Sequence, residues 1–349
     1  EISMERLSTG KRINAASDDV AGMAIASRLS TEIRGINQAV RNALDGQSLI
    51  DTAEGAHKEI ESILQRMREI SVQGANGTNS IVDRSNIRSE LFMMTNEIER
   101  IAQSTSWAGK GLLSVANNIF NFQIGSQPTA ANQVGIFIQQ ATATVLGLFG
   151  LEPAEIFAAT NGNTVAADNI FDVKNTSAQD MVITGVKQRF ISNGSGDYKV
   201  SYREGSSVNT NPQSSGWILA GTATGITSGS AGATDVNFDS ELEIRIGAGQ
   251  TLGVWVSGTD SFNVKYNTGT AVGNTLASDT YLTIKEGYGT QVDSASVYSP
   301  RAWNGSFKYS YDMMEGVSLV DAAINEINTE RSKLGAASLR FNYAINNMT

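Results

Sequence analysis

His57 is the only histidine of the 349-residue chain, and it stands among Glu54, Glu59 and Glu61. An imidazole flanked by carboxylates could begin a divalent-metal site, but a zinc-protease helix needs a second imidazole one turn away. The sequence has none, so His57 is expected to be a half-buried member of a helix stripe. The absence of cysteine excludes disulfides, thiolate nucleophiles and cysteine-ligated zinc. No serine lies in a Gly-x-Ser-x-Gly elbow, so no nucleophile comes with a base partner. Gly247-Ala248-Gly249-Gln250-Thr251-Leu252-Gly253 has the glycine density of a phosphate loop. It lacks a lysine, a following helix pattern and a βαβ setting, which predicts a hairpin turn. Asp235, Asp239, Glu241 and Glu243 cluster without the ligand rhythm of a calcium loop and read as a solvated strand face. Trp217, Trp255, Tyr281, Tyr288, Tyr298 and Trp303 could stack on sugar faces, but most are expected to fill a core. The chain reads as a non-enzyme with no cofactor and no metal.

The elements that carry these residues follow from composition. The formal net charge of −9 leaves no basic field for nucleic acid, and no apolar run is long enough to span a bilayer. All four prolines and most of the 34 glycines fall between residues 116 and 312, while both ends keep a helical rhythm. Ser17, Asp18 and Asp19 supply a helix start. Leu29, Ile33, Ile36, Val40 and Ala43 then recur at steps of four and three, and after a shift the stripe resumes through Ala53, Ile60, Leu64, Met67 and Ile70. A single helix over 17–73 would be about 85 Å long, more than a compact domain is wide, which predicts a rod. Ile87, Leu91, Met94, Ile98 and Ile101 mark a second helix.

The cleanest signal is at the end of the chain. Val317, Val320, Ile324, Ile327, Arg331, Leu334, Ser338, Phe341 and Ile345 alternate steps of three and four without a slip. Such a stripe is marginal in water alone and must bury itself, and the N-terminal helices offer matching stripes. The predicted fold is therefore α+β: an elongated, coiled-coil-like helical rod built from both chain ends, with an inserted β-rich outer domain. The rod is assigned to 1–155 and 306–349, including a β-hairpin region, and the outer domain to 156–305. Strands are expected over 199–203, 242–246 and 262–266.

Several segments resemble bacterial flagellin. SMERLSTGKRINAASDDVAGMAIASRL (3–29), RGINQAVRNALDGQSLIDTAEGA (34–56), LQRMREISVQGANGTNS (64–80) and EIERIAQSTSWAGKGLL (97–113) look like that family's N-terminal region. Gln123-Ile124-Gly125 resembles the signature opening its β-hairpin, and VDAAINEINTERSKLGAASLRFNYAINNMT (320–349) resembles its C-terminal helix. The resemblance implies an extracellular subunit that polymerises with its own kind into the flagellar filament. It also implies an export chaperone and cap proteins as partners. Arg66, Ile70 and Glu97 match positions that innate-immune receptors read in some members. Because Glu1 and Thr349 fall inside helices, the chain looks trimmed, and a monomeric or weakly associating state is expected for it.

Polymerisation needs packing rather than chemistry, since each large apolar side chain removed from water contributes roughly 1.5–3 kcal/mol. The stripe residues expected to carry packing and assembly are Leu29, Ile33, Ile36, Val40, Leu64, Met67, Ile324, Ile327, Leu334 and Phe341. The competing reading is a cell-surface binding protein on the same scaffold, its outer domain gripping a polysaccharide or host molecule. An anionic glycan would then need the basic cluster of Lys174, Lys187, Arg189, Lys199 and Arg203.

Overall fold

A computed structural model describes the chain except residues 1, 11, 16, 149–153, 159–163, 167, 191–194, 208–215, 228–233, 237, 239–241, 259–263 and 291–296. Four helices, α1 (Ile2–Thr9), α2 (Val20–Gly74), α3 (Ile81–Ser104) and α4 (Met313–Met348), bracket a middle of strands. The cap of α2 is Asp19, whose Oδ1 accepts the Gly22 N–H at 2.8 Å, while Asp18 turns back to accept the N–H groups of Asn14 and Ala15. Ser80 and Asp83 start α3 with a reciprocal capping box: the Asp83 N–H donates to Ser80 Oγ and the Ser80 N–H to Asp83 Oδ2. The chain divides into two compact units.

The first unit comprises Glu1–Ile63, Glu97–Leu146 and Ile324–Thr349. Here α2 and α4 run antiparallel. Gln47 donates to Asn342 at 2.6 Å, and further along Arg331 pairs with Glu61 and approaches Glu54 at 3.8 Å. Phe341 packs where α2 carries Gly46, whose Cβ, were there one, would lie 2.6 Å from the ring. The strands Asn118–Gln123 and Gln133–Ile138 form the hairpin, with Val134, Ile136 and Ile138 facing inward at every second position. Phe122 meets Phe341 edge-on at 5.6 Å. Ser106–Trp107 and Lys110–Gly111 join through Ala108 and Gly109, both at positive φ, as a tight two-residue turn requires.

The second unit comprises Leu64–Asn96 and Gly147–Ala323. Its strands form two antiparallel sheets around a common core. One sheet runs Ile218–Thr227, Ser195–Glu204, Thr251–Gly258, Asp168–Asn175, Gly287–Thr290, Val297–Trp303, Val264–Thr268 and Thr164–Ala166, with Leu282–Lys285 and Thr275–Ser278 branching from Asp168–Asn175. The other runs Thr234–Asp235, Met181–Gln188, Gly305–Tyr311 and Ala154–Phe157, with Ile244–Ile246 also on Met181–Gln188. Phe171, Trp303 and Phe307 stack between the sheets at 4.7 and 4.5 Å. Two bulges interrupt the outermost strand, Ile218–Thr227, where it pairs with Ser195–Glu204.

Three local expectations change. The helix start moves, because residues 17–19 form a turn and cap rather than helix, and α2 begins at Val20. Of Gly247–Gly253 only residues 247–250 form a tight turn, with Gly249 at φ +69°, and it is no hairpin: the strands on either side, Ile244–Ile246 and Thr251–Gly258, lie in different sheets. The strand expected over 242–246 is confined to Ile244–Ile246; of the one expected over 262–266, residues 262–263 fall outside the described residues and Val264–Thr268 is strand.

Within the second unit, Arg68 on α2 pairs with Asp321 on α4 at 2.6 Å, with both side chains more than 40% exposed. Exposed pairs gain little over their hydration, so Asp321→Asn is expected to cost less than about 1 kcal/mol in urea unfolding. A loss several times larger would show that this pair fixes the register of the helices.

Candidate functional site

The stripe residues separate by depth. Leu64 and Met67, in the second unit, are buried, as are Ile327, Leu334 and Phe341 in the first. Ile36, Val40 and Ile324 are half-buried. Leu29 and Ile33 stand 48% and 58% exposed, alongside the exposed Val20 and Ile25 on the same helix and Leu339 and Tyr343 on α4. The interior face of α4 is Val320, Ala323, Ile327, Glu330, Leu334 and Phe341, so Ala323 and Glu330 take inner places that hydropathy gave to Ile324 and Arg331. The physical reason is reach. Arg331 lays its stem along the helix and carries its charge out to Glu61 and Glu54, while the small Ala323 lets backbones approach.

His57 lies deeper than half-buried: it is 0% exposed, and neither ring nitrogen has a hydrogen-bond partner. Burial pushes its pKa down to about 4; Glu330 raises it and Arg331 lowers it further. The buried Glu330 carboxylate is itself held by Lys333 at 2.5 Å. A neutral imidazole facing one carboxylate offers no ligand set, and no group of three metal-ligating side chains occurs among the described residues. Asp239 and Glu241 of the acidic cluster lie outside the described residues, as does the side chain of Asp235; Glu243 bonds to Arg84.

Arg66 is exposed and bridges to Glu69 at 3.0 Å and Glu90 at 3.6 Å. Ile70 is 1% exposed and belongs to the interior stripe with Met67. In the first unit Glu97 is gripped by Arg100 at 2.6 Å, and that hydrogen bond holds its carboxyl below the ordinary range. Of the aromatic residues, Trp303 and Tyr288 are buried, Trp217, Trp255 and Tyr281 are half-buried, and the Tyr298 side chain is outside those described. Of the five basic residues, Lys187 sits in the smaller sheet against Glu155, Lys174, Lys199 and Arg203 belong to the larger one, and Arg189 follows the end of strand Met181–Gln188, its N–H donating to the Asn304 carbonyl. Sequence reasoning missed the buried Glu330 and Arg88, since charged side chains at helix positions read as solvated.

No helix is long and apolar enough to cross a membrane among the described residues. Comparison with known proteins adds the family context. The family model for the bacterial flagellin N-terminal helical region matches residues 1–118. Polar flagellin F of Vibrio parahaemolyticus is 34% identical over 346 residues, 99% of this chain and 78% of the relative. Flagellin C of Vibrio anguillarum is 33% identical over 348 residues, 100% of this chain and 79% of the relative. Among solved structures, FliC from Burkholderia pseudomallei aligns over 84% of this chain and 99% of its own, at 18% identity and a TM-score of 0.34.

Proposed function

The chain belongs to the bacterial flagellin family and is a structural subunit of the extracellular flagellar filament, and from that premise we propose which of its surfaces does which work. The deep stripe of Leu64, Met67, Ile327, Leu334 and Phe341 holds the chain itself together. The half-buried and exposed residues Leu29, Ile33, Ile36, Val40 and Ile324 meet neighbouring subunits. The observation that carries this reading is the exposure of Leu29 and Ile33 near the start of α2, in a row with the exposed Val20 and Ile25, while Leu64 and Met67 further along the same helix are buried. Isolated exposed leucines are ordinary, but Val20, Ile25, Leu29 and Ile33 follow one another at steps of four and five along one helix. Head-to-tail contacts that do not close generate filaments rather than rings.

On this reading residues 1–155 and 306–349 serve the filament wall and 156–305 the outer, variable part, and the role is structural, with no enzymatic step. An export chaperone and cap proteins are the further partners the family suggests. Arg66 and Glu97 are the exposed or half-exposed members of the receptor-matching trio; Ile70 would reach a receptor only if α2 opened.

The test replaces Leu29 and Ile33 together with serine in the flagellin made by its own bacterium. The purified variant should match the parent within about 0.5 kcal/mol in urea unfolding. Electron microscopy should show short filaments or none. Filaments of normal length and number would overturn the assignment.

A further inference from the structure

Arg88 of α3 is 5% exposed and makes no hydrogen bond to any described residue. It borders a cavity of about 60 Å³ inside the second unit, walled by Gly74 to Gly77 at the end of α2, Arg84, Glu243, Arg245 and the start of α4 from Asp312. Among the described residues the charges around it do not balance. Arg84 is matched by Glu243 at 2.5 Å and also donates to the Asn79 carbonyl at 2.8 Å. Arg245 is matched by Asp312 at 2.5 Å. The third guanidinium, Arg88, reaches only Glu243 Oε1 at 3.7 Å, an oxygen that Arg245 approaches at the same distance. Among the described residues three cations therefore meet two carboxylates; Arg245 keeps 60% of its side chain exposed, and the cation left without a close partner, Arg88, is the most buried.

A desolvated guanidinium without hydrogen bonds is among the costliest groups a fold can hold, and it is tolerated where a counter-charge sits beside it. Burial lowers the Arg88 pKa against the opposing pull of Glu243 and Asp312, yet arginine stays charged at any ordinary pH. Water could fill the space but would leave the excess positive charge in place. The volume admits about four water-sized atoms, which suits a monatomic anion or a short planar one and crowds a tetrahedral oxyanion. We propose that this cavity binds a small monovalent anion of the chloride class, with Arg88 as its principal ligand. The bound ion completes the charge balance where the end of α2, the body of α3 and the start of α4 meet, and fastens the turn over 75–80.

Two measurements on the full chain decide this. Crystals grown in bromide should show anomalous scattering within hydrogen-bonding distance of the Arg88 guanidinium. Bromide found only elsewhere on the surface, with water at Arg88, would overturn the site. In solution, thermal stability at constant ionic strength should rise saturably as chloride replaces gluconate, which is too large to enter. Arg88→Met should lose that dependence, while Arg68→Met, at an exposed pair, should keep it. Equal stability of the parent in chloride and gluconate would sink the proposal. If Arg88→Met does not fold, the bromide experiment and the parent titration still settle it.

Discussion

Phe341→Ala lowers the stability of the chain by about 3–5 kcal/mol in urea unfolding followed by far-ultraviolet circular dichroism. The ring is 0% exposed and meets Phe122 edge-on at 5.6 Å. Opposite it α2 carries glycine, and a Cβ there would come within 2.6 Å of Cζ and 2.9 Å of Cε1. Gly46 thus forms the socket for the ring. Alanine at 341 leaves a void bounded by helix backbone, which cannot collapse into the space as a flexible side chain would. The same geometry predicts the converse variant: Gly46→Ala should also destabilise, although alanine is the better helix former. If Phe341→Ala costs less than about 1.5 kcal/mol, the α2–α4 pairing does not depend on this socket.

His57→Met is expected to raise stability at pH 7 and to flatten the loss of stability on acidification. At neutral pH the parent buries two ring nitrogens without partners, each costing on the order of 1–3 kcal/mol, and methionine fills a similar volume without them. The pH effect follows from the depressed pKa. In the folded chain the imidazole stays neutral down to about pH 4, whereas in the unfolded chain it takes up a proton below about 6.5. The unfolded state therefore binds more protons throughout that window. Stability should fall as pH drops from 6.5 toward 4 and level off below, a loss of about 3 kcal/mol. The charged groups facing the ring are Glu330 and Arg331 on α4, with Lys333 bound to Glu330 and Glu54 and Glu61 bound to Arg331. None of these is removed by the substitution, so the difference between the two pH profiles isolates the histidine. Parallel profiles from pH 7 to 4 would contradict this account.

The helical ends were legible because their signal is local and repeated. Val320, Ile327, Leu334 and Phe341 recur every seventh residue, and all four are buried. The companion positions misled. Hydropathy favours Ile324 over Ala323 and is indifferent between Arg331 and Glu330, whereas packing selects by size and by which charge can reach a partner. The depth of His57 was out of reach for a related reason, since its cover comes from α4, far along the chain. In the middle, parts of individual strands could be read from their alternation, such as 199–203 within Ser195–Glu204. Their order could not be, because Val254 pairs with both Phe171 and Tyr202, and no short window holds that information. Arg88 was invisible as a site, since nothing around it in sequence foretells Glu243 and Asp312.

The bulged outermost strand, Ile218–Thr227, has a consequence for a protein made in many copies and packed at high density. It exposes Ile218 and Leu219, and a flat strand carrying such side chains would template extension by a second chain, the first step toward a fibril of the wrong kind. The register breaks between Leu219 and Gly221 and between Ala223 and Ile226, and Asp197 takes up the Gly225 N–H. The unused backbone groups are thereby left out of step with any straight partner, and the margin of the sheet resists amyloid-like stacking while its side chains stay free to vary.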